Sequence, residues 1–139
     1  TLGVCALVFG ACDKALRVTA EYSVQRHQFG RPIGSFQAVE TRLADAFIAL
    51  NGVRLTTLSA ATMLDERAPE ATESVAIAKD WAARAADIVG HASLHVHGGI
   101  SIDRDYPVHR YFLWAKTLEH ELGGKSDQLT TIGAGIAAG

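Results

Sequence analysis

The sequence predicts an all-α protein, an antiparallel up-down four-helix bundle, and three observations carry that prediction. Apolar residues recur at helical spacing along four long stretches. The segments between those stretches are short, which sets consecutive helices side by side and antiparallel. No stretch of useful length alternates with a period of two, and no internal repeat is visible.

The first helix is expected from about Gly3 to Gln25, with Val4, Leu7, Val8, Ala11, Ala15, Val18 and Tyr22 on one side. The second is expected from about Ser35 to Glu66, with Ser35 as N-cap. Its stripe is Phe36, Val39, Leu43, Phe47, Leu50, Leu58 and Ala61, and a helix of that length spans about 45 Å. The third is expected from about Glu70 to Val96, after Ala68-Pro69, since proline fits a first helical turn. Val75, Ala78, Ala82, Ala86, Val89 and Ala92 face inward there, and its abundant alanine lets neighbouring helices approach closely. The fourth begins near Tyr106-Pro107 and carries Val108, Tyr111, Phe112, Ala115 and Leu118. It continues or breaks at Gly123-Gly124, and a last short helix holds Leu129, Ile132 and Ile136.

The 139 residues suit one domain with a real core. They are 48% hydrophobic with a formal net charge of −2, and no basic stripe marks a nucleic-acid surface. Cys5 and Cys12 lie roughly 10 Å apart along a helix axis, too far for a disulfide. They read as core residues of a protein from a reducing cytoplasm. The apolar run Leu2 to Cys12 is too short to span a bilayer. Thr1-Leu2-Gly3-Val4 enters a helical pattern without a convincing cap, so a fragment of a longer chain is expected.

Two segments concentrate chemistry. Arg26-His27-Gln28-Phe29-Gly30-Arg31-Pro32-Ile33-Gly34-Ser35-Phe36-Gln37 packs charge, amides, rings and glycines into one helix connection. Arg26 can fork two hydrogen bonds to an anion. Gln28 and Gln37 donate and accept, Phe29 and Phe36 offer flat surfaces, and the next helix N-terminus favours negative charge. Such a set suits a large, flat, charged ligand. The plainer alternative is that Arg26 caps the first helix while Phe29 and Phe36 staple the turn. The second segment is His95-Val96-His97-Gly98-Gly99-Ile100. Gly98 and Gly99 permit close backbone approach, and Gly98 also suits a left-handed helix C-cap. His91 and His95 share a helical face, as zinc ligands do, but no third ligand follows a known pattern. No metal is expected, and these histidines read as surface or interface residues.

Arg-x-Gln-Phe-Gly-x-Pro-Ile followed by Phe-Gln, together with the Gly98-Gly99 segment and Asp105-Tyr106-Pro107-Val108-His109-Arg110-Tyr111, resembles the C-terminal domain of the acyl-CoA dehydrogenase family. The likeness covers nearly all of the chain. It implies the same helical bundle, oligomers formed through it, FAD as cofactor, an acyl-CoA substrate for the full-length enzyme, and electron-transfer flavoprotein as redox partner. It further implies that Arg26, Gln28, Phe29, Phe36 and Gln37 contact FAD held mainly by a neighbouring subunit. His95, Gly98 and Gly99 match a second FAD contact, with His95 where the family usually has Gln.

The family's catalytic carboxylate commonly sits in a loop that falls here on Glu121-Leu122-Gly123-Gly124-Lys125, and its position is Leu122. Leucine takes no proton, so no catalytic residue is assigned. Three explanations remain open: a non-catalytic subunit of a hetero-oligomer, as in enzymes acting on sterol side chains; a base on the helix that opens the domain, at or before Thr1; or a flavin monooxygenase of the same fold. Glu119 and Glu121 read as solvated or paired carboxylates, with Glu119 on the helical face of Leu122. The expected function is thus the C-terminal domain of an FAD-dependent acyl-CoA dehydrogenase. The alternative from another class is a structural assembly module without cofactor.

Overall fold

The computed structural model describes residues 1–138. It contains α1 (Leu2–Gln25), a two-stranded ribbon of β1 (His27–Gln28) and β2 (Arg31–Pro32), α2 (Gln37–Asp65), α3 (Ala71–His97), α4 (Val108–His120) and α5 (Lys125–Ala138). Short 3-10 turns lie at Ile33–Ser35 and Gly98–Ile102. The expected bundle is α1 to α4, and α5 adds a fifth helix packed on α3.

Helix α3 is the hub and packs against each of the other four helices. Its alanines explain why: Ala78, Ala82, Ala85, Ala86 and Ala92 are buried and let several helix axes come close. Gly52 of α2 serves the same end, since a Cβ there would sit 2.2 Å from the Trp81 ring. The core is small-residue packing of Cys5, Val8, Cys12 and Leu16 from α1 and Ala46, Ala49, Leu50 and Val53 from α2 against α3.

Two expected stripes turn out otherwise. On α1, Leu7 is exposed, and the buried face runs through Cys5, Val8, Cys12, Leu16 and Thr19. On α2, Phe47, Leu58 and Ala61 are exposed, and the small residues Ala46, Ala49 and Ala60 point inward. Phe47, Ile48, Leu55 and Leu58 lie within a stripe of about 100° on the outer side, all exposed by more than half. Helix α2 is therefore apolar on opposite faces. By length and composition alone it would pass for a membrane-crossing helix.

Ser35 is not the N-cap of α2. Phe36 holds that place without a side-chain cap, and Ser35 Oγ donates instead to the Pro32 carbonyl at 2.7 Å. Cys5 and Cys12 are free and buried. Burial pushes the Cys12 thiol up to about 12.

Candidate functional site

The Arg26-to-Gln37 connection is a hairpin. His27 pairs with Pro32 and Gln28 with Arg31, and Ile33 N–H donates to the Arg26 carbonyl at 2.8 Å. Phe29 and Gly30 form its tip with φ of +54° and +80°, the pair of positive angles that a two-residue type I′ turn needs. Glycine accepts this readily; a phenylalanine in the left-handed region costs about 1 kcal/mol or more. The strained ring is also 92% exposed. It meets Phe36 edge-on at 6.2 Å, while Arg31 lies 4.1 Å over the other ring. Arg26, Gln28 and Gln37 are exposed, and among the described residues no carboxylate pairs with Arg26. Gly34 seats the turn on α1: a Cβ there would fall 2.9 Å from Ser23 Oγ.

Arg26 does close α1, through its backbone N–H to the Tyr22 carbonyl at 2.8 Å. Its guanidinium takes no part in that bond. The two aromatic rings touch one another, as a staple would require, yet the outer ring buries almost nothing. The hairpin presents its polar and aromatic groups outward.

At the end of α3, His95 is exposed. Gly98 is the C-cap, with φ 66° and ψ −143°, and donates its N–H to the Leu94 carbonyl. That ψ lies outside the left-handed helical region expected for it, in a region open only to glycine. Nothing lies within 4 Å of where a Cβ would be on Gly98 or Gly99, so both face open space.

His97, expected as a surface or interface residue, is buried within the chain, 4% exposed. Its Nδ1 lies 2.9 Å from Tyr106 Oη, and its ring stacks at 4.3 Å on Tyr22. Nε2 is buried without a partner, and burial pushes the imidazole below its ordinary value. The neighbouring histidine is simpler: His91 Nδ1 donates to the Asp87 carbonyl at 2.9 Å. Among the described residues no cluster of three metal-ligating side chains occurs.

The Leu122 loop lies at the other end of the bundle. Helix α4 stops at His120, so Glu119 and Leu122 do not share a helical face, contrary to expectation. Leu122 has φ +59° and Gly123 φ +97°, and the leucine side chain is 57% exposed. Glu119 pairs with Lys116 at 2.6 Å, and Glu121 is exposed. Beneath the loop lies a residue that helical periodicity gave no reason to single out. Lys79 is fully buried, and its Nζ donates to the carbonyls of Glu119 at 2.7 Å and Leu118 at 3.2 Å. The ammonium thus caps α4 at the negative end of its dipole. Lys79 and His97 are separated by about 27 Å along α3, and so are the two regions they support.

Fold and site together define a helical-bundle domain carrying a polar, aromatic hairpin at one end and a strained loop at the other. The chain belongs to the acyl-CoA dehydrogenase family: the model described as "Acyl-CoA dehydrogenase, C-terminal domain" matches residues 2–137. Acyl-CoA dehydrogenase FadE27 of Mycobacterium tuberculosis is 46% identical over 144 residues, covering 99% of this chain and 39% of the relative. Among solved structures, the ChsE4-ChsE5 complex from Mycobacterium tuberculosis superposes with a TM-score of 0.94 at 49% identity, covering 98% of this chain and 37% of that one. An FAD complex of PigA superposes at 0.89 and 27% identity, covering 96% and 34%. The chain thus spans well under half the length of these relatives.

Proposed function

We propose that this chain is the C-terminal domain of an FAD-dependent acyl-CoA dehydrogenase. In this reading its hairpin and its Gly98-Gly99 turn clasp an FAD molecule, and its outer helical faces join subunits. The observation that carries the reading is Phe29: a ring held out at 92% exposure on a left-handed backbone, in the same hairpin as an Arg26 guanidinium that pairs with no carboxylate among the described residues. Such strain without burial is a feature of ligand sites.

The residues present fit the cofactor. Arg26 is free to fork onto diphosphate oxygens, Gln28 and Gln37 can bond a nucleotide's polar edges, and Phe29 and Phe36 offer faces for a flat base. Open space at Gly98 and Gly99 admits a ligand to the backbone. Bound FAD would supply hydride acceptance during desaturation of an acyl-CoA thioester. This chain's residues would bind and orient it, and His95 would donate one hydrogen bond in a geometry unlike an amide's.

The preferred fuller picture is the weaker subunit of a two-chain cytoplasmic enzyme of fatty acid or sterol side-chain oxidation, delivering electrons to an electron-transfer flavoprotein. Two observations support it. The clasp and the Leu122 loop occupy opposite ends of the bundle, so they suit two different flavins. Leu122 holds no proton-accepting group, so removal of the α-proton would fall to another residue or chain.

The test is flavin absorbance of the full-length protein, purified with and without its partner chain. Stoichiometric flavin in the complex is the expected result. Absence of flavin from both preparations would sink the clasp and leave an assembly module.

A further inference from the structure

His97 joins three separate parts of the chain, two through its imidazole and one through its backbone. It stacks on Tyr22, in the last turn of α1, whose carbonyl receives the Arg26 N–H at the root of the hairpin. It bonds the hydroxyl of Tyr106 at 2.9 Å, with ring centroids 5.2 Å apart, where the chain turns into α4. It also immediately precedes Gly98. We propose that His97 is a positioning residue that fixes the hairpin and the Gly98-Gly99 turn relative to each other, so that both reach the same ligand.

A plain core filler would not look like this. Leucine would occupy a similar volume without enclosing a polar nitrogen, and burying an unsatisfied polar group is costly. Nε2 of His97 is such a group. In return, the hydrogen bond to Tyr106 restricts rotation of the ring, and a ring so held fixes the stacking distance to Tyr22. The apolar alternative supplies packing but no such orientation. A short lever makes the effect matter: Tyr22 lies one helical turn before Arg26, and His97 one residue before Gly98. A small rotation of the ring therefore shifts the two segments against each other.

The inference rests on the proposed FAD clasp, so the experiment separates the two. Full-length protein with its partner is prepared as wild type, Tyr106→Phe, His97→Leu, His97→Asn and Arg26→Ala. FAD affinity is measured by flavin fluorescence well below each variant's melting temperature, and backbone hydrogen exchange is followed over residues 26–37 and 95–100. Tyr106→Phe removes one hydroxyl and leaves the packing, so it tests the bond even if His97→Leu folds poorly. Expected is about a tenfold loss of affinity in Tyr106→Phe and His97→Leu, with faster exchange in both segments. His97→Asn, whose amide can replace Nδ1, is expected to recover most of the affinity. Wild-type affinity in Tyr106→Phe overturns the inference, as does loss in His97→Leu that His97→Asn fails to repair. Unchanged affinity in Arg26→Ala overturns the clasp reading on which the inference stands.

Discussion

The ammonium of Lys79 lies 2.7 Å from the carbonyl oxygen of Glu119, joining the first half of α3 to the last turn of α4 across forty residues of chain. Two opposed effects meet there. Each charge-assisted hydrogen bond contributes about 1.5–3 kcal/mol, and burial of the ammonium costs several. Desolvation accordingly pushes Lys79 below its ordinary value, while Cys5 and Glu119 draw it back.

Replacement of Lys79 by methionine keeps the volume and removes both effects. The expected change in unfolding free energy is below about 2 kcal/mol, by the near-cancellation seen when buried charges are replaced with apolar groups. The loop should respond more than the fold does. Amide exchange at residues 119–124 should accelerate in Lys79→Met, and an unchanged exchange pattern would show that the carbonyls need no cap.

Protonation of His97 gives a pH dependence of definite sign. Its folded value is depressed by burial, so as pH falls below about 6.5 the unfolded chain gains a proton that the folded chain refuses. Stability is therefore lost as pH falls from about 6.5 toward the depressed folded value and is fully present above that window. Urea midpoints at pH 7.5 and 5.5 measure it. The fall between them should be smaller in His97→Asn than in the wild type.

Leu122→Glu puts a carboxylate where we expect the family's catalytic base to fall. The backbone is already left-handed at this position, and one exposed side chain replaces another, so stability should change by no more than about 0.5 kcal/mol. Expected is a gain in acyl-CoA-dependent bleaching of bound flavin, measured anaerobically on the full-length protein. Robust activity in the unmutated protein without a partner would instead locate the base elsewhere in the chain.

The outer stripe of α2 is the surface we expect to bury between subunits. Leu55 and Leu58 are 64% and 57% exposed, so aspartate at both should cost the single subunit little. In the assembly it would place two charges in an apolar contact. Native mass spectrometry of Leu55→Asp/Leu58→Asp should show smaller species than the wild type, and an unchanged assembly would assign the interface to another face.

Cys12 should be inert in the folded protein. Its thiol is buried and pushed up to about 12, and thiolate is the reactive form. Peptide mapping after iodoacetamide treatment at pH 8 should find Cys12 unmodified until denaturant is added.

Sequence periodicity located the helices well and oriented two of them badly. In α3 the expected inward residues Ala78, Ala82, Ala86, Val89 and Ala92 are all buried, so the inward face was legible. In α2 both opposite faces are apolar, and a pattern rule favours the larger residues, whereas the interior took the small ones because α3 packs so close. The hairpin was legible as chemistry but not as strain, since nothing in the letters places Phe29 at positive φ. Lys79 and the burial of His97 were missed for a common reason. Lysine usually lies at the surface and histidine often does, and their partners are backbone carbonyls and a tyrosine nine or more residues away. Such pairings depend on tertiary packing that local spacing does not encode.

The two-sided character of α2 has a consequence for how such a chain is supplied in a cell. If subunits meet on its outer ridge as proposed, a copy without its partner would leave that ridge open to proteases, to chaperones and to its own kind. Output of this chain in excess of that partner would then be wasted or harmful. Synthesis in matched amounts, from messages translated side by side, would keep the orphan population small.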